Sequence, residues 1–180
     1  MKNSHKAKFL VIIEARMNSS RLPGKVCIEL DKSKPALEIL IDRIRKSKDV
    51  NEILIATTRK KIDNKIVKIA KKNGCLYYRG SENKVLRRVC NAIKNKKINS
   101  IIQLTGDNPL IDPLVIDYVV NFYLSNYPKY DFVTNNNLFN ITRPIPLGMI
   151  LSVFKKKSIL KVNELANKKE HFEHTTLFFL

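Results

Sequence analysis

Short runs of consecutive apolar residues alternate with helical patterns along this chain, and this alternation restricts the fold more than any other feature. A strand that is apolar at successive positions is covered on both faces, as in a parallel sheet. A strand with one solvent-exposed face alternates apolar and polar side chains instead. The predicted strands lie at residues 8–15, 51–58, 75–79, 100–105 and 130–135.

The segments between these strands have the apolar spacing of amphipathic helices. Asp63, Ser81 and Asp112 stand where helix N-caps are expected, and Gly74 stands where a helix ends. Five β/α alternations predict an α/β fold, a Rossmann-like three-layer α/β/α sandwich with a mainly parallel sheet. The predicted helices lie at residues 35–48, 63–73, from 81 onward, 113–126 and about 156–168, the last one after a short strand.

The length of 180 residues is that of one domain, so we expect a single domain over residues 1–180. The aromatic residues Tyr118, Phe122, Tyr123 and Tyr127 recur at helical spacing. This spacing predicts core positions rather than a surface on which bases stack.

The formal net charge of +18 would suit a nucleic-acid partner. However, the lysines are scattered over positions where helices face water, and Lys, Asn and Ile are all abundant, as A/T-rich codons would produce. The charge pattern therefore disfavours a nucleic-acid partner.

The three cysteines, Cys27, Cys75 and Cys90, are too widely spaced for a zinc site or a disulfide framework. Their pattern predicts a reducing, cytoplasmic compartment. No segment has the roughly 20 apolar residues that span a bilayer, and the N-terminus lacks the apolar region of a signal peptide, so we expect no membrane partner.

The segment EARMNSSRLPGK, residues 14–25, places positive charge directly after the first predicted strand. Ligands of parallel α/β sheets bind beyond the carboxyl ends of the strands, where this loop would lie. Arg16 and Arg21 can each pair two phosphate oxygens, with Lys25 as a third cation and the turn at Ser20 as a source of amide donors. The loop matches neither the Walker A nor the dinucleotide-binding glycine pattern. The alternative is a solvated basic turn.

The sequence Thr-Gly-Asp ends the fourth predicted strand and places Asp107 at the same edge of the sheet. Gly106 would let backbone or ligand approach closely. Asp107 is either a structural ion-pair partner or a magnesium ligand beside a nucleoside triphosphate, because Mg²⁺ shares oxygen ligands with substrate phosphates. The neighbouring basic loop favours the magnesium interpretation.

Five motifs occur in an order that is known from one enzyme family. They are A-R-M-N-S-S-R-L-P-G-K (residues 15–25), A-T-T (56–58), R-G-S (79–81), T-G-D-N-P-L-I-D-P (105–113) and E-H-T-T (173–176). With these motifs the chain resembles the bacterial cytidylyltransferases of the spore-coat-polysaccharide type, which are relatives of the enzymes that make CMP-3-deoxy-manno-octulosonate and CMP-sialic acid. The first and fourth motifs are the specific ones.

The resemblance implies a nucleotide-diphospho-sugar transferase-like fold and transfer of CMP from CTP to a sugar hydroxyl with release of pyrophosphate. It implies Mg²⁺ as the cofactor, held by Asp107, with Arg16, Lys25 and Asp107 as the catalytic residues. The nucleotide-binding residues that it implies are Ala15, Arg16, Ser20, Arg21, Lys25, Ala56, Thr57, Thr58, Arg79, Gly80, Ser81, Gln103 and Gly106.

The sugar partner implied by the resemblance is an acidic sugar of surface polysaccharide or glycan biosynthesis. Arg143, Glu173 and His174 would contact it. Relatives commonly form homodimers, so a homodimer is a possible assembly here, and the sequence leaves this open. Family members continue well past the E-H-T-T motif, so we expect this chain to lack the C-terminal portion of the domain.

Two other functions stay open at this point. One is a nucleotide-binding remnant, a protein that binds nucleotide but catalyses no reaction. Missing carboxylates favour it, since apolar residues occupy positions 147, 149, 150 and 151, where the family carries acidic residues. A basic RNA-binding module is favoured by net charge alone and lacks the aromatic or G-x-x-G motifs of common RNA-binding domains.

Overall fold

The computed structural model describes residues 9–136 and 145–179, which are built around a six-stranded sheet. The strands are β1 (Phe9–Glu14), β2 (Glu29–Asp31), β3 (Lys34–Pro35), β4 (Val50–Thr58), β5 (Leu76–Gly80), β6 (Ser100–Thr105), β7 (Phe132–Thr134) and β8 (Ser152–Lys155). The helices are α1 (Ala36–Ile44), α2 (Asn64–Lys72), α3 (Val85–Ile93), α4 (Pro113–Ser125), α5 (Lys156–Leu165) and α6 (Lys169–Glu173). Short 3₁₀ turns lie at Lys25–Cys27, Lys61–Asp63, Leu147–Met149 and Leu177–Phe179.

The strand order of the large sheet is β5-β4-β1-β6-β8-β7. The first four strands of this order are parallel, which confirms the predicted mainly parallel α/β sheet. The strand predicted at 130–135 forms as β7, but it pairs with the antiparallel β8 rather than with β6. Val153 and Phe154 of β8 are fully buried, whereas the residues of β7 are half-buried, so β8 takes the interior place and the three-residue β7 forms the edge.

Alternate side chains of β1 enter two hydrophobic clusters, one on each face of the sheet. Phe9, Val11 and Ile13 pack with α1, α2 and α4, whereas Leu10 and Ile12 pack with α3 and α5. This arrangement is the predicted three-layer sandwich, and it explains why β1 is apolar at five consecutive positions, residues 9–13.

Two details of the predicted helices are wrong. The carboxylate of Asp63 does not cap α2, because it accepts hydrogen bonds from the amide of Met17 and the hydroxyl of Thr58 instead. Helix α3 begins at Val85 rather than near Ser81, whose hydroxyl accepts a hydrogen bond from the amide of Lys84 at 3.2 Å and forms a turn before the helix.

The other two predicted helix ends are confirmed. Asp112 caps α4 through a 2.8 Å hydrogen bond from the amide of Leu114, and Gly74 follows α2 with a φ of +59°. The aromatic residues of α4 divide, since Tyr123 is buried but Tyr118, Phe122 and Tyr127 are exposed. The prediction of four core aromatics is therefore wrong for three of them, because Ile116, Val119 and Val120 already fill the face of α4 that meets the sheet.

Within the described residues, no helix combines the length and the apolar character that a membrane span needs.

Gly106 joins the ends of the two central strands. Its amide donates a 2.8 Å hydrogen bond to the carbonyl of Glu14. A Cβ atom at this position would lie 3.0 Å from the Cβ of Ala15 and 3.1 Å from that carbonyl oxygen. The missing side chain thus lets the segments after β1 and β6 touch, which confirms the predicted close approach.

We expect Gly106→Ala to lower the free energy of unfolding by about 1–3 kcal/mol, because the backbone of β1 cannot move away from the added methyl group. The measurement is urea unfolding followed by far-ultraviolet circular dichroism. Gly148→Ala is the matched control, since a Cβ there meets no atom within 4 Å. Equal unfolding midpoints for the two variants would contradict the prediction.

Candidate active site

The loop that follows β1 closes on the backbone of Met17. The Met17 carbonyl accepts hydrogen bonds from the amides of Ser19 at 3.0 Å and Gly24 at 2.7 Å. Gly24 has a φ of +74°, in the left-handed region that glycine adopts without strain. These bonds fold residues 16–25 into a compact turn at the carboxyl edge of the sheet.

A buried carboxylate anchors this turn from behind. Asp63 is only 1% exposed and accepts a 2.7 Å hydrogen bond from the amide of Met17. Its other oxygen accepts a hydrogen bond from the hydroxyl of Thr58 at the end of β4. An unpaired amide at Met17 would be costly in this buried position, so Asp63 determines where the turn lies.

Arg79 secures the segment that carries Asp63. Its guanidinium group donates three hydrogen bonds of 2.8 Å, to the carbonyls of Thr58 and Lys60 and to the side chain of Asn64. The A-T-T and R-G-S motifs therefore support the basic turn through Thr58 and Arg79.

A cavity of about 490 Å³ lies between the basic turn, the end of β6 and the start of α3; we name it the first cavity. Its walls combine five cationic side chains with four carboxylates. The lining residues are Glu14, Ala15, Arg16, Ser19, Ser20, Arg21, Lys25, Val26, Glu82, Asn83, Val85, Arg88, Thr105, Gly106, Asp107, Lys169, Glu173 and His174.

Two of the carboxylates are paired with lysines. Lys25 forms an ion pair with Asp107, and Lys60 forms one with Glu82 at 2.5 Å. Arg16 and Arg21 make no ion pair with any residue of 9–136 or 145–179. The first cavity therefore offers two guanidinium groups to an anionic ligand.

Asp107 is ionised at neutral pH. Burial alone would raise its pKa, but hydrogen bonds from Lys25 and Thr105 outweigh burial and hold the pKa of Asp107 below its ordinary value. The carboxylate is thus negatively charged where it lines the cavity.

Arg88 is a buried cation in the wall of the first cavity. The side chain is 2% exposed and donates hydrogen bonds to the carbonyls of Ser81 at 2.6 Å and Glu82 at 3.3 Å. Burial lowers the pKa of Arg88 while the charge of Glu14 raises it. Arg88 thereby fixes the turn before α3 and adds positive charge below the cavity floor.

Glu14 ends β1 and faces the same space. Its carboxylate accepts a 2.5 Å hydrogen bond from the side-chain amide of Gln103. Burial raises the pKa of Glu14 to about 7, although Arg88, Arg16 and the hydrogen bond from Gln103 act in the opposite direction.

A second cavity, of about 550 Å³, adjoins the first one on the side of β7 and β8. The two cavities share Glu14, Arg21, Thr105, Asp107, Glu173 and His174. The rest of its wall is Gln103, Leu104, Asn108, Phe132, Thr134, Asn136, Leu147, Gly148, Ile150, Leu151, Ser152, Thr175 and Thr176. Asp107 therefore stands where two ligands in neighbouring cavities would meet.

The residues predicted from sequence separate into distinct groups in the structure. Gln103, predicted for the nucleotide, lines only the second cavity, and Arg143 lies outside the described residues. Those that line neither cavity are Ala56, Thr57, Thr58, Arg79, Gly80 and Ser81. Those that line the first cavity are Ala15, Arg16, Ser20, Arg21, Lys25, Gly106, Asp107, Glu173 and His174.

Sequence reasoning did not single out Glu14 and Arg88 and assigned Asp63 to a helix cap. Arg88 falls on the apolar stripe of α3 with Val85 and Val89, so the helical period places a charge on the buried face. No comparable pattern distinguishes Glu14 or Asp63, whose partners lie far away along the chain.

The family model described as cytidylyltransferase matches residues 10–180. The chain belongs to the cytidylyltransferase family. An uncharacterised protein of Methanocaldococcus jannaschii is 38% identical over 94% of this chain, and the spore coat polysaccharide biosynthesis protein SpsF of Bacillus subtilis is 34% identical over 94%. The chain spans 65% and 68% of the lengths of these two relatives.

Solved structures show the same cytidylyltransferase fold. A cytidylyltransferase from Leptospira borgpetersenii superposes with a TM-score of 0.84 at 32% identity, over 96% of this chain and 70% of that one. A CMP-2-keto-3-deoxy-manno-octonic acid synthetase, solved in complex with CTP, superposes with a TM-score of 0.70 at 17% identity, over 96% of this chain and 84% of that one.

We expect Asp63→Ala to weaken the binding of inorganic tripolyphosphate about fivefold or more, because the amide of Met17 loses its partner and the turn bearing Arg16 shifts. Isothermal titration calorimetry measures this affinity. Asp117→Ala is the matched control, since Asp117 is also buried, accepts hydrogen bonds from Ser47 and Lys48 and lines neither cavity. Binding of tripolyphosphate by Asp63→Ala with the affinity of the parent chain would contradict the prediction, and so would an equal loss of affinity in Asp117→Ala.

Glu14 makes a pH-dependent contribution to stability. Its ordinary pKa of 4.5 applies to the unfolded chain, so between about pH 4.5 and 7 the folded state holds a proton that the unfolded state releases. Stability relative to Glu14→Gln should therefore fall as the pH rises through this window, by up to about 1.4 kcal/mol per pH unit. Urea unfolding at half-unit pH steps tests this, with the exposed Glu29→Gln as background; parallel profiles for the parent chain and Glu14→Gln would refute it.

Proposed function

We propose that this chain is a CTP-dependent nucleotidyltransferase that joins CMP to a hydroxyl group of a sugar and releases pyrophosphate. The observation that carries the proposal is the pair of adjoining cavities, with Asp107 in their common wall and the Arg16 and Arg21 side chains on the first one. Membership in the cytidylyltransferase family supports CTP as the nucleotide.

The basic turn suits a triphosphate. Guanidinium groups pair two phosphate oxygens at once, and Lys25 adds a point charge beside Asp107. Asp63 and Arg79 fix the backbone of the turn that carries these side chains before a ligand arrives, which lowers the cost of ordering the turn on binding.

The proposed reaction is an in-line displacement at the α-phosphorus of CTP. A bond forms between the sugar oxygen and the α-phosphorus, the bond to the bridging oxygen of the β-phosphate breaks and pyrophosphate leaves, and the proton of the hydroxyl group passes to solvent. Such a displacement depends on positioning and charge stabilisation, which two adjoining cavities and a cationic turn can supply.

Magnesium is the cofactor that the resemblance implies, and the donor set fits it. Mg²⁺ uses one or two carboxylates and completes its coordination with phosphate oxygens and water, and Asp107 is an ionised carboxylate beside the proposed phosphate site. Within the described residues no three His, Cys, Asp or Glu side chains form a metal-binding group by themselves, so Asp107 would hold the ion together with the substrate. When bound, the ion would neutralise charge on the phosphates.

The second cavity is the proposed sugar site, where Glu173 and His174 lie in the wall shared with the first cavity. One relative, from Chloroherpeton thalassium, carries the name 3-deoxy-manno-octulosonate cytidylyltransferase and is 31% identical over 66% of this chain. That name supports an acidic sugar as the acceptor.

We expect Lys25→Ala and Arg16→Ala to lower kcat/KM for CTP-dependent pyrophosphate release about 100-fold, the usual effect of removing one preorganised charge from a transition state. The assay couples pyrophosphate release to a colorimetric readout with CTP, Mg²⁺ and a panel of acidic sugars. Lys34→Ala is the control, because Lys34 forms a comparable ion pair with Asp42, at 2.9 Å, outside both cavities. CTP binding without turnover on any sugar would favour the nucleotide-binding remnant, and equal rates for all variants would refute the triphosphate site.

A further inference from the structure

The amino ends of the parallel strands form a lysine-rich edge of the sheet, opposite to the edge that bears the first cavity. Strands β6 and β8 are antiparallel and pair Ser100 with Lys155, so residues 155–157 lie beside the start of β6. The ammonium group of Lys156 donates hydrogen bonds to the carbonyls of Lys94 at 3.1 Å and Lys96 at 2.5 Å. Two groups of lysines that are distant in sequence therefore meet at this edge.

This edge carries an excess of positive charge. Two acidic residues, Glu52 and Asp131, are ion-paired there, with Lys96 at 3.6 Å and with Lys155 at 3.3 Å. The other lysines repel one another, so the free energy of the protein falls when an anionic surface approaches them. Those that form no ion pair with any residue of 9–136 or 145–179 are Lys94, Lys97, Lys129, Lys156 and Lys157.

Exposed aromatic side chains continue this edge at the end of α4. Phe122, Tyr127 and Tyr130 are 47%, 48% and 37% exposed. Phe122 stacks on Tyr130 with ring centroids 6.5 Å apart. The ammonium groups of Lys129 and Lys155 lie 5.1 Å and 5.5 Å from the ring centroids of Tyr130 and Tyr127. These three aromatic residues and the five lysines without an ion pair form one surface, which we call the amino-edge surface.

The composition of the amino-edge surface favours an anionic lipid bilayer over a nucleic acid. Its cations are lysines, which meet phosphates as point charges without the paired geometry of arginine. Its rings pack on one another and under lysines, whereas platforms for bases present aromatic faces along a groove. Tyrosine and lysine together are typical of the membrane–water interface, where the ring lies among the headgroups and the ammonium group meets lipid phosphate.

We propose that the amino-edge surface docks this chain on an anionic lipid bilayer. Phe122 and Tyr130 lie at the level of the headgroups, and the lysines lie against the lipid phosphates. The contact is peripheral, so it needs no membrane-spanning segment. Arg16 and Lys25 follow the carboxyl end of β1, at the opposite edge of the sheet, so the first cavity faces solvent in the docked protein.

Tryptophan fluorescence tests the contact of the rings, because the sequence contains no tryptophan and one introduced residue is the only source of signal. The probes are vesicles of phosphatidylcholine and phosphatidylglycerol in a seven-to-three ratio, and vesicles of phosphatidylcholine alone. We expect the mixed vesicles to shift the emission of Tyr130→Trp to shorter wavelength, because the ring leaves water. Tyr77→Trp is the matched control, since Tyr77 is 42% exposed and lies 5.7 Å from the ammonium group of Lys71 on a distant strand, β5. Its emission should not shift.

Vesicle sedimentation measures the contribution of the lysines. Each lysine near an anionic bilayer contributes about a fivefold factor in affinity, so Lys94→Gln combined with Lys97→Gln should weaken binding to the mixed vesicles about 25-fold. Lys65→Gln combined with Lys68→Gln removes the same charge from the exposed side of α2. This control should change the affinity by less than about threefold, since charges farther than a Debye length from the bilayer are screened.

Three outcomes would overturn the inference. The first is an unshifted Tyr130→Trp emission with the mixed vesicles, or equal affinities of the two lysine pairs. The second is binding of a single-stranded RNA oligomer, lost in the Lys94 and Lys97 variant, without binding of vesicles by the parent chain, which would assign the surface to nucleic acid. The third is release from the vesicles by inorganic phosphate at the concentration of the lipid phosphate, which would show that the lysines bind single anions rather than a bilayer.

Discussion

A hydrogen bond from the amide of Met17 to the buried carboxylate of Asp63 fixes the turn of residues 16–25, which forms one wall of the first cavity. Met17 holds the basic turn together through its carbonyl, and Asp63 holds Met17 in place through its amide. Thr58 and Arg79 keep Asp63 and its segment against the ends of β4 and β5. The proposed triphosphate site is built from side-chain charge and needs such a support, because flexible cations would lose much conformational entropy when they bind.

The first cavity combines positive and negative side chains rather than presenting a uniformly basic surface. Lys25 pairs with Asp107, and Lys60 pairs with Glu82, so two of the four carboxylates of the first cavity are neutralised by a neighbouring cation. Glu14, with its pKa raised to about 7, adds a carboxylate whose charge depends on pH in the neutral range. The net charge of +18 therefore says little about the site, whose potential is determined by the few groups that face the two cavities.

Local sequence patterns predicted most strands and helices, whereas the site depends on contacts between residues that are distant in sequence and could not be predicted in the same way. The strands at 51–58 and 100–105 match β4 and β6 because consecutive apolar residues report burial on both faces. The position of Asp63 before a helix predicts a cap, whereas its observed partners, Met17 and Thr58, cannot be predicted from the neighbouring sequence. The sequence likewise did not predict that β8 lies between β6 and β7. Strand order depends on contacts between segments far apart in sequence, such as the pairing of Ser100 with Lys155.

The amino-acid sequence alone was sufficient for the α/β class, for the basic turn after β1 and for Asp107 at the same edge, because each follows from local periodicity and from the rule that ligands bind at the carboxyl ends of parallel strands. Folding was needed to separate the motif residues that line a cavity from those that support it, such as Thr58 and Arg79. It was also needed to join Glu14, Gln103 and Thr175 in one hydrogen-bonded group and to place Leu147 in the wall of the same cavity. Side-chain direction and burial are properties of packing in three dimensions, and a motif records only the residue types that packing requires.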